Sequence, residues 1–400
     1  MAACTSSGAP PAPSAQTTTT APTTTAPSTS TPSTSAPSTS PATTTSASTS
    51  PDTASCSVTA VLAKWPIAQV AAQTVVVPVD EGDPGAVSAA VRFGVGGVIL
   101  FGNDATTNLK SQLATLRAET LPHRALLVMA DEEGGGIQRL QSIVSNMPWP
   151  RQMARTMTTK QVFDLTHRVG SAMSRYGVNV DLAPVLDVDG RDVYPSESDP
   201  DGYRSFGGVT TVVSNYGVAY LAGLMRGGVI PVVKHFPGLG GASGNTDYGP
   251  AHTLPWKTLE KEAIPPFKAA IGFGVPAVMV SNASVPGLTS LPASISYAVT
   301  TRVLRKQLGF KGLVITDSLS AGALSEIGYS VDQASVAAVE AGADMVLYGL
   351  LATPGNDVGQ AQSIRNALVA AVGSGHLTRA QLDAAAAHVL EAEQVDVCRS

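Results

Sequence analysis

The sequence predicts an α/β protein: a (β/α)8 barrel preceded by a stalk rich in Ser, Thr and Pro. Two observations lead there. Short runs of Val, Ile and Leu recur with almost no polar alternation, the pattern of strands buried on both faces of a parallel sheet. Each run is followed by an amphipathic stretch of helical period, and eight such units fill the chain after the stalk. A doubly wound open sheet is the alternative use of the same alternation.

The stalk comes first, residues 1–55. From Thr5 to about Ser55 nearly every residue is Ser, Thr, Pro or Ala, and Asp52 is the one charge. Such a stretch has nothing to bury and cannot offset its ordering entropy. Its prolines favour extended conformations, and its composition suits O-glycosylation. The opening "MAAC" resembles the end of a bacterial lipobox, so Cys4 is an expected lipid anchor, with an incidental cysteine as the alternative. Cys56 and Cys398 bracket residues 56–400. Two cysteines at opposite ends of an exported domain suggest one disulfide.

The strands follow as "QTVVVPV", "GGVIL", "ALLVMAD", "NVDLAPVLDV", "VIPVVKHF", "AVMVSNA", "GLVITDS" and "MVLYGL". Between them lie helical patterns such as "NLKSQLATLRAE", "VFDLTHRVGSAMSRYG", "TVVSNYGVAYLAGLMRGG", "LEKEAIPPFKAAIGFG" and "VTTRVLRKQLGF". The tail "TRAQLDAAAAHVLEAEQ" reads as one more helix. The formal net charge of -5 offers no basic patch, which argues against nucleic acid as a partner. No apolar run reaches the length of about 18 residues that spans a bilayer, so any membrane contact is expected through Cys4 alone.

A barrel places its active site at the C-terminal ends of the strands. The polar residues there are Asp131, Asp187, Lys234, His235, Asn282 and Asp317. They form no obvious metal cluster, and no cofactor is expected. Many hydrogen-bonding groups at one mouth suit a polyhydroxylated ligand. Asp344, in "GADMVL", precedes the last strand and is expected to be structural. Lys234 alone is also compatible with a Schiff-base aldolase. "GLGGASG" matches neither a phosphate-binding loop nor a dinucleotide motif.

Five segments in order, "DEEGGGIQRL", "NVDLAPVLDV", "YRSFG", "KHFPGLG" and "GLVITDSLSAGAL", resemble glycoside hydrolase family 3. Within it, the resemblance is to single-domain β-N-acetylglucosaminidases of bacterial cell-wall turnover, and it spans about Pro66 to Gln394. The resemblance implies a monomeric, exported, retaining exo-β-glycosidase acting on glycans or muropeptides, with a β-glucosidase or other β-hexosidase as the alternative. Asp317 matches the nucleophile. Asp131, Arg139, Arg204, Lys234 and His235 match positions that bind the terminal sugar, and Asn282 stands where the family has a sugar-site His. Asp187 is expected to contact ligand or pair with Lys234.

Three departures stand out. The family's "EGGR" is here Glu133-Gly134-Gly135-Gly136, so one Arg is missing. The His expected after "MVS" is Asn282. Relatives carry Asp-Ser-His after "KHFPG", with the His as acid/base; here the triplet is Asn245-Thr246-Asp247. Asp247, its pKa raised by burial or by Asp317, is one expected acid/base. His252 is a second. The third reading is a glycan-binding protein without an efficient acid.

Overall fold

The computed structural model describes residues 57–350 and 356–395. The stalk, Cys4 and the expected Cys56–Cys398 bridge lie outside the described residues.

Eight parallel strands form the barrel: β1 (Val75–Asp80), β2 (Gly97–Phe101), β3 (Leu127–Ala130), β4 (Val180–Asp181), β5 (Ile230–Phe236), β6 (Ala277–Val280), β7 (Leu313–Thr316) and β8 (Val346–Leu347). They neighbour one another in chain order, and β8 returns to β1 through Val75–Val346 and Val76–Leu347. The seam between β7 and β8 is held by an Ile315–Met345 bridge and by the Thr316 amide, which donates to Met345 O at 3.0 Å. The ring is nearly closed, as the alternating pattern predicts; the open doubly wound sheet is excluded. Val75, Val76 and Val77 have no exposed surface, because the lumen lies on one side of β1 and the helices on the other.

Only Val180 and Asp181 of "NVDLAPVLDV" pair as a strand. Pro184 has no amide to donate, and the run continues as a single bridge from Val185 to Lys234. The register carries Asp187 and Lys234 to the same end of the barrel.

The outer ring includes α1 (Ser88–Phe93), α2 (Leu109–Ala118), α3 (Thr159–Tyr176), α4 (Thr210–Arg226) and α5 (Ile264–Phe273). After a π-helical segment at Ala298–Gln307 come α6 (Val331–Ala341), α7 (Asn356–Ser374) and α8 (Arg379–Ala392). The sequence punctuates these helices clearly. Thr158 and Gln161 form a capping box at the start of α3, and Gly177 ends it at φ 90°. Ser330, Gln333 and Gly342 do the same for α6. At the N-terminal face, Asp344 accepts from Arg305 at 2.5 Å and from the Val314 amide at 2.7 Å, and pairs with His388 at 2.8 Å. It ties the π-helical segment, β7 and α8 together, the structural part expected of it. No described helix is long and apolar enough to cross a membrane.

Candidate active site

The C-terminal mouth holds a cavity of about 310 Å³. Asp131, Arg139, Arg204, Lys234, His235, Asp247 and Asp317 all line it, so seven residues from five distant segments meet there. Beneath them lies an ion lattice. Lys234 Nζ is 2.6 Å from Asp131 Oδ1 and 2.6 Å from Glu133 Oε1. Arg204 donates to both Glu133 oxygens at 2.8 Å. Burial alone would raise the Glu133 pKa, but the two cations outweigh it and hold the carboxyl well below its usual range. Lys234 is likewise raised, since Asp131 and Glu133 overcome the desolvation that would lower it. The lattice is therefore fully charged, and both of its cations line the cavity. Glu133 was absent from the expected site residues. Its sequence signal was the run Asp131-Glu132-Glu133, with nothing to say which of the two glutamates would line the cavity.

Behind His235 lies a second buried group. Its Nδ1 is 2.6 Å from Asp187 Oδ2, and Asp187 also accepts the backbone amides of His235 and Leu239. Asp187 thus pairs with His235 rather than with Lys234, and it does not line the cavity; this corrects the sequence-based expectation. Burial, then the Arg204 charge, lowers the His235 pKa to about 4, so the ring is neutral at pH 7. Asp201 is fully buried beside this pair, and no donor reaches either of its oxygens. Burial, then the Asp187 charge, raises its pKa well above the ordinary value. Asp187 and Asp201 act on each other directly, each carboxyl shifting the pKa of its neighbour. Among the described residues, Asp187, Asp201 and His235 are also the one grouping whose ligand atoms lie within 4.8 Å of one another, as a metal site requires. The Arg204 guanidinium, 3.3 Å from His235 Nε2, already supplies positive charge there.

Asp317 follows β7 directly. Its amide donates to Val280 O at 2.9 Å, and one of its oxygens accepts the Ser318 amide at 2.8 Å. Burial raises its pKa; His235 opposes that, and Asp247 adds to it. The Gly-rich loop 237–252 brings Asp247 in. The Gly322 amide donates to Asp247 O, and the Ala323 amide to Thr246 O, both at 3.0 Å. The loop is thereby fastened to the segment that begins with Asp317. Its glycines permit this close seating: a Cβ on Gly240 would lie 2.0 Å from Val188 O. Asp247 is exposed, which corrects the expectation of a buried acid.

Two expected residues sit elsewhere. Asn282 is buried and does not line the cavity; its amide donates to Ser318 O and its carbonyl accepts from Ser294, both at 2.7 Å. It steadies the backbone next to Asp317 instead of meeting ligand. His252 is exposed and does not line the cavity; its Nδ1 lies 3.1 Å from Thr253 O.

Residues 84–392 match the family model described as the glycosyl hydrolase family 3 N terminal domain. The chain belongs to glycosyl hydrolase family 3. It is a glycoside hydrolase, acting on O-glycosyl bonds. It is 36% identical over 288 residues to the beta-hexosaminidase LpqI of Mycobacterium tuberculosis, covering 69% of this chain and 71% of that one. Among solved structures, a family 3 member from Mycobacterium smegmatis superposes with a TM-score of 0.74 at 36% identity, covering 83% of this chain and 98% of that one. The beta-N-acetylhexosaminidase of Beutenbergia cavernae gives 0.75 at 29% identity, covering 83% and 100%. The family 3 fold thus accounts for the barrel and its mouth.

Proposed function

We propose that this family 3 chain is a retaining exo-β-glycosidase that removes terminal β-linked N-acetylhexosamine from cell-wall-derived glycans. The observation that carries the reading is the pairing of two carboxylates in one small cavity. Asp317 is buried and fixed at the end of β7, and Asp247 is close enough for its charge to act on Asp317. In the first step Asp317 attacks the anomeric carbon while the glycosidic bond breaks and the departing oxygen takes the Asp247 proton. In the second, water gives a proton to Asp247 and displaces Asp317. Asp131, Arg139, Arg204, Lys234 and His235 hold the hydroxyls of the terminal sugar. The names of the mycobacterial and Beutenbergia relatives support N-acetylhexosamine as that sugar. Export is supported by the stalk and by a relative named as a secreted glycosyl hydrolase in Arthroderma benhamiae, 33% identical over 296 residues.

The exposure of Asp247 favours one second reading, a glycan-binding protein that turns over slowly. A screen of nitrophenyl β-glycosides separates the two. The expected result is turnover of the N-acetylglucosaminide ahead of the glucoside, lost in Asp317→Asn. Saturable binding of N-acetylglucosamine without turnover of any glycoside would favour the binder, and preference for the glucoside would move the substrate.

A further inference from the structure

The missing Arg of "EGGR" has a structural counterpart. A Cβ on Gly135 would sit 2.0 Å from Trp149 Cδ2, and one on Gly136 3.0 Å from Trp149 Cζ2. The bare backbone makes room for the indole. Trp149 meets Tyr194 edge-on, with ring centroids 5.9 Å apart, and Tyr194 meets Tyr203 edge-on at 5.0 Å. Trp149 and Tyr203 are half-buried, whereas Tyr194 is 64% exposed. The ring is braced from two sides and presented to solvent.

The loop carrying it is firmly held. Buried Arg151 donates to Asp192 Oδ1 at 2.9 Å, to Ser205 O at 3.1 Å and to Gly202 O at 3.2 Å. The Tyr203 amide donates to Val193 O at 2.9 Å. The platform is continuous with the sugar cavity, since Pro195 and Ser196, next in sequence to Tyr194, line it. A second tyrosine stands at the same mouth. Tyr248 lines the cavity, is 62% exposed, and directly follows Asp247. The two loops touch where the Asn245 amide donates to Glu197 O at 2.9 Å.

A cavity of about 310 Å³ suits a single sugar ring, so the rest of a glycan must lie on the rim. Asp247 faces the departing oxygen in the proposed mechanism, and the ring beyond that oxygen comes to lie beside Tyr248. We propose that Tyr194, braced by Trp149 and Tyr203, forms with Tyr248 a platform for the apolar face of the pyranose on the leaving-group side. The platform makes the enzyme select glycan chains over small aglycones. It rests on the proposed glycosidase reading.

The test compares two substrates, the β-1,4-linked trisaccharide of N-acetylglucosamine and methyl β-N-acetylglucosaminide, whose aglycone has no ring. In Tyr194→Ala and Tyr248→Ala the ratio of kcat/KM values, trisaccharide over methyl glycoside, should fall about two- to tenfold, the range an aromatic contact commands. Tyr194→Phe should keep the parent ratio, and unfolding temperatures check that each variant is folded. An unchanged ratio in both alanine variants overturns the platform. If the parent hydrolyses neither substrate, the glycosidase reading has failed. The platform is then judged by calorimetry with the trisaccharide: weaker binding to Tyr194→Ala supports it and equal affinity overturns it.

Discussion

Replacing Asp201 by Asn tests the buried carboxyl pair behind the sugar cavity. Burial, then the Asp187 charge, raises the Asp201 pKa well above the ordinary value in the folded protein. The unfolded chain releases the Asp201 proton near pH 4. A folded pKa above the unfolded one gives stability that is complete below the unfolded value and lost as pH rises toward the folded one. The loss is about 1.4 kcal/mol per pH unit. Asn carries no titrating proton. As pH rises from 5 toward the folded pKa the variant should therefore gain stability on the parent. An unfolding entropy near 2.1 cal/mol/K per residue, over roughly 340 residues, is about 0.7 kcal/mol/K. Each kcal/mol of gain then corresponds to about 1.4 °C in Tm. Thermal unfolding of both proteins at pH 5, 6 and 7 reads it together with the linked change at Asp187 and His235, while groups distant from Asp201 cancel in the difference. A Tm difference that does not grow with pH would refute the raised Asp201 pKa.

Two further outcomes follow from the lattice and the loop. Glu133→Gln leaves Arg204 and Lys234 buried with one carboxylate fewer. Breaking such a pair costs about 3–5 kcal/mol, or roughly 4–7 °C in Tm at pH 7 by the same entropy; an unchanged Tm means that the cations have found water. Asp247→Asn should lose about a hundredfold or more on a disaccharide but far less on a nitrophenyl glycoside, because only a poor leaving group needs the acid. Azide, which needs no base, should partly restore turnover as the glycosyl azide, and His252→Ala should show neither behaviour. Equal losses on both substrates would take the acid's part away from Asp247.

The barrel was legible because double-sided burial writes itself as unbroken apolar runs, and Thr158, Gly177, Ser330 and Gly342 mark helix ends by local chemistry alone. Helix α7 was harder to see. Its buried stripe is Ala361, Ile364, Leu368 and Ala371, and two alanines carry little hydrophobic signal. At the mouth, strand-end position located Asp131, Lys234, His235 and Asp317 within one cavity. It could not say how their partners were shared. Lys234 and His235 are neighbours on β5, yet one faces Glu133 and the other Asp187. That division depends on side-chain direction. Asn282 shows the same limit, as its strand-end amide is consumed by Ser294 and the backbone at Ser318. Asp201 sits in a long loop whose burial depends on contacts far along the chain, so no local pattern announced it. The glycines at 135 and 136 read as a lost Arg until Trp149 was seen beside them.

In the proposed mechanism Asp317 becomes covalently bound to the sugar and Asp247 helps release it. The most direct measurement is the mass of Asp247→Asn quenched during turnover of nitrophenyl β-N-acetylglucosaminide, followed by peptide mapping. Without the base, the second step slows and the intermediate accumulates. The expected result is protein heavier by one N-acetylhexosaminyl group, carried on the peptide that contains Asp317. An adduct on another carboxylate, or continued turnover with no adduct at any quench time, would contradict it.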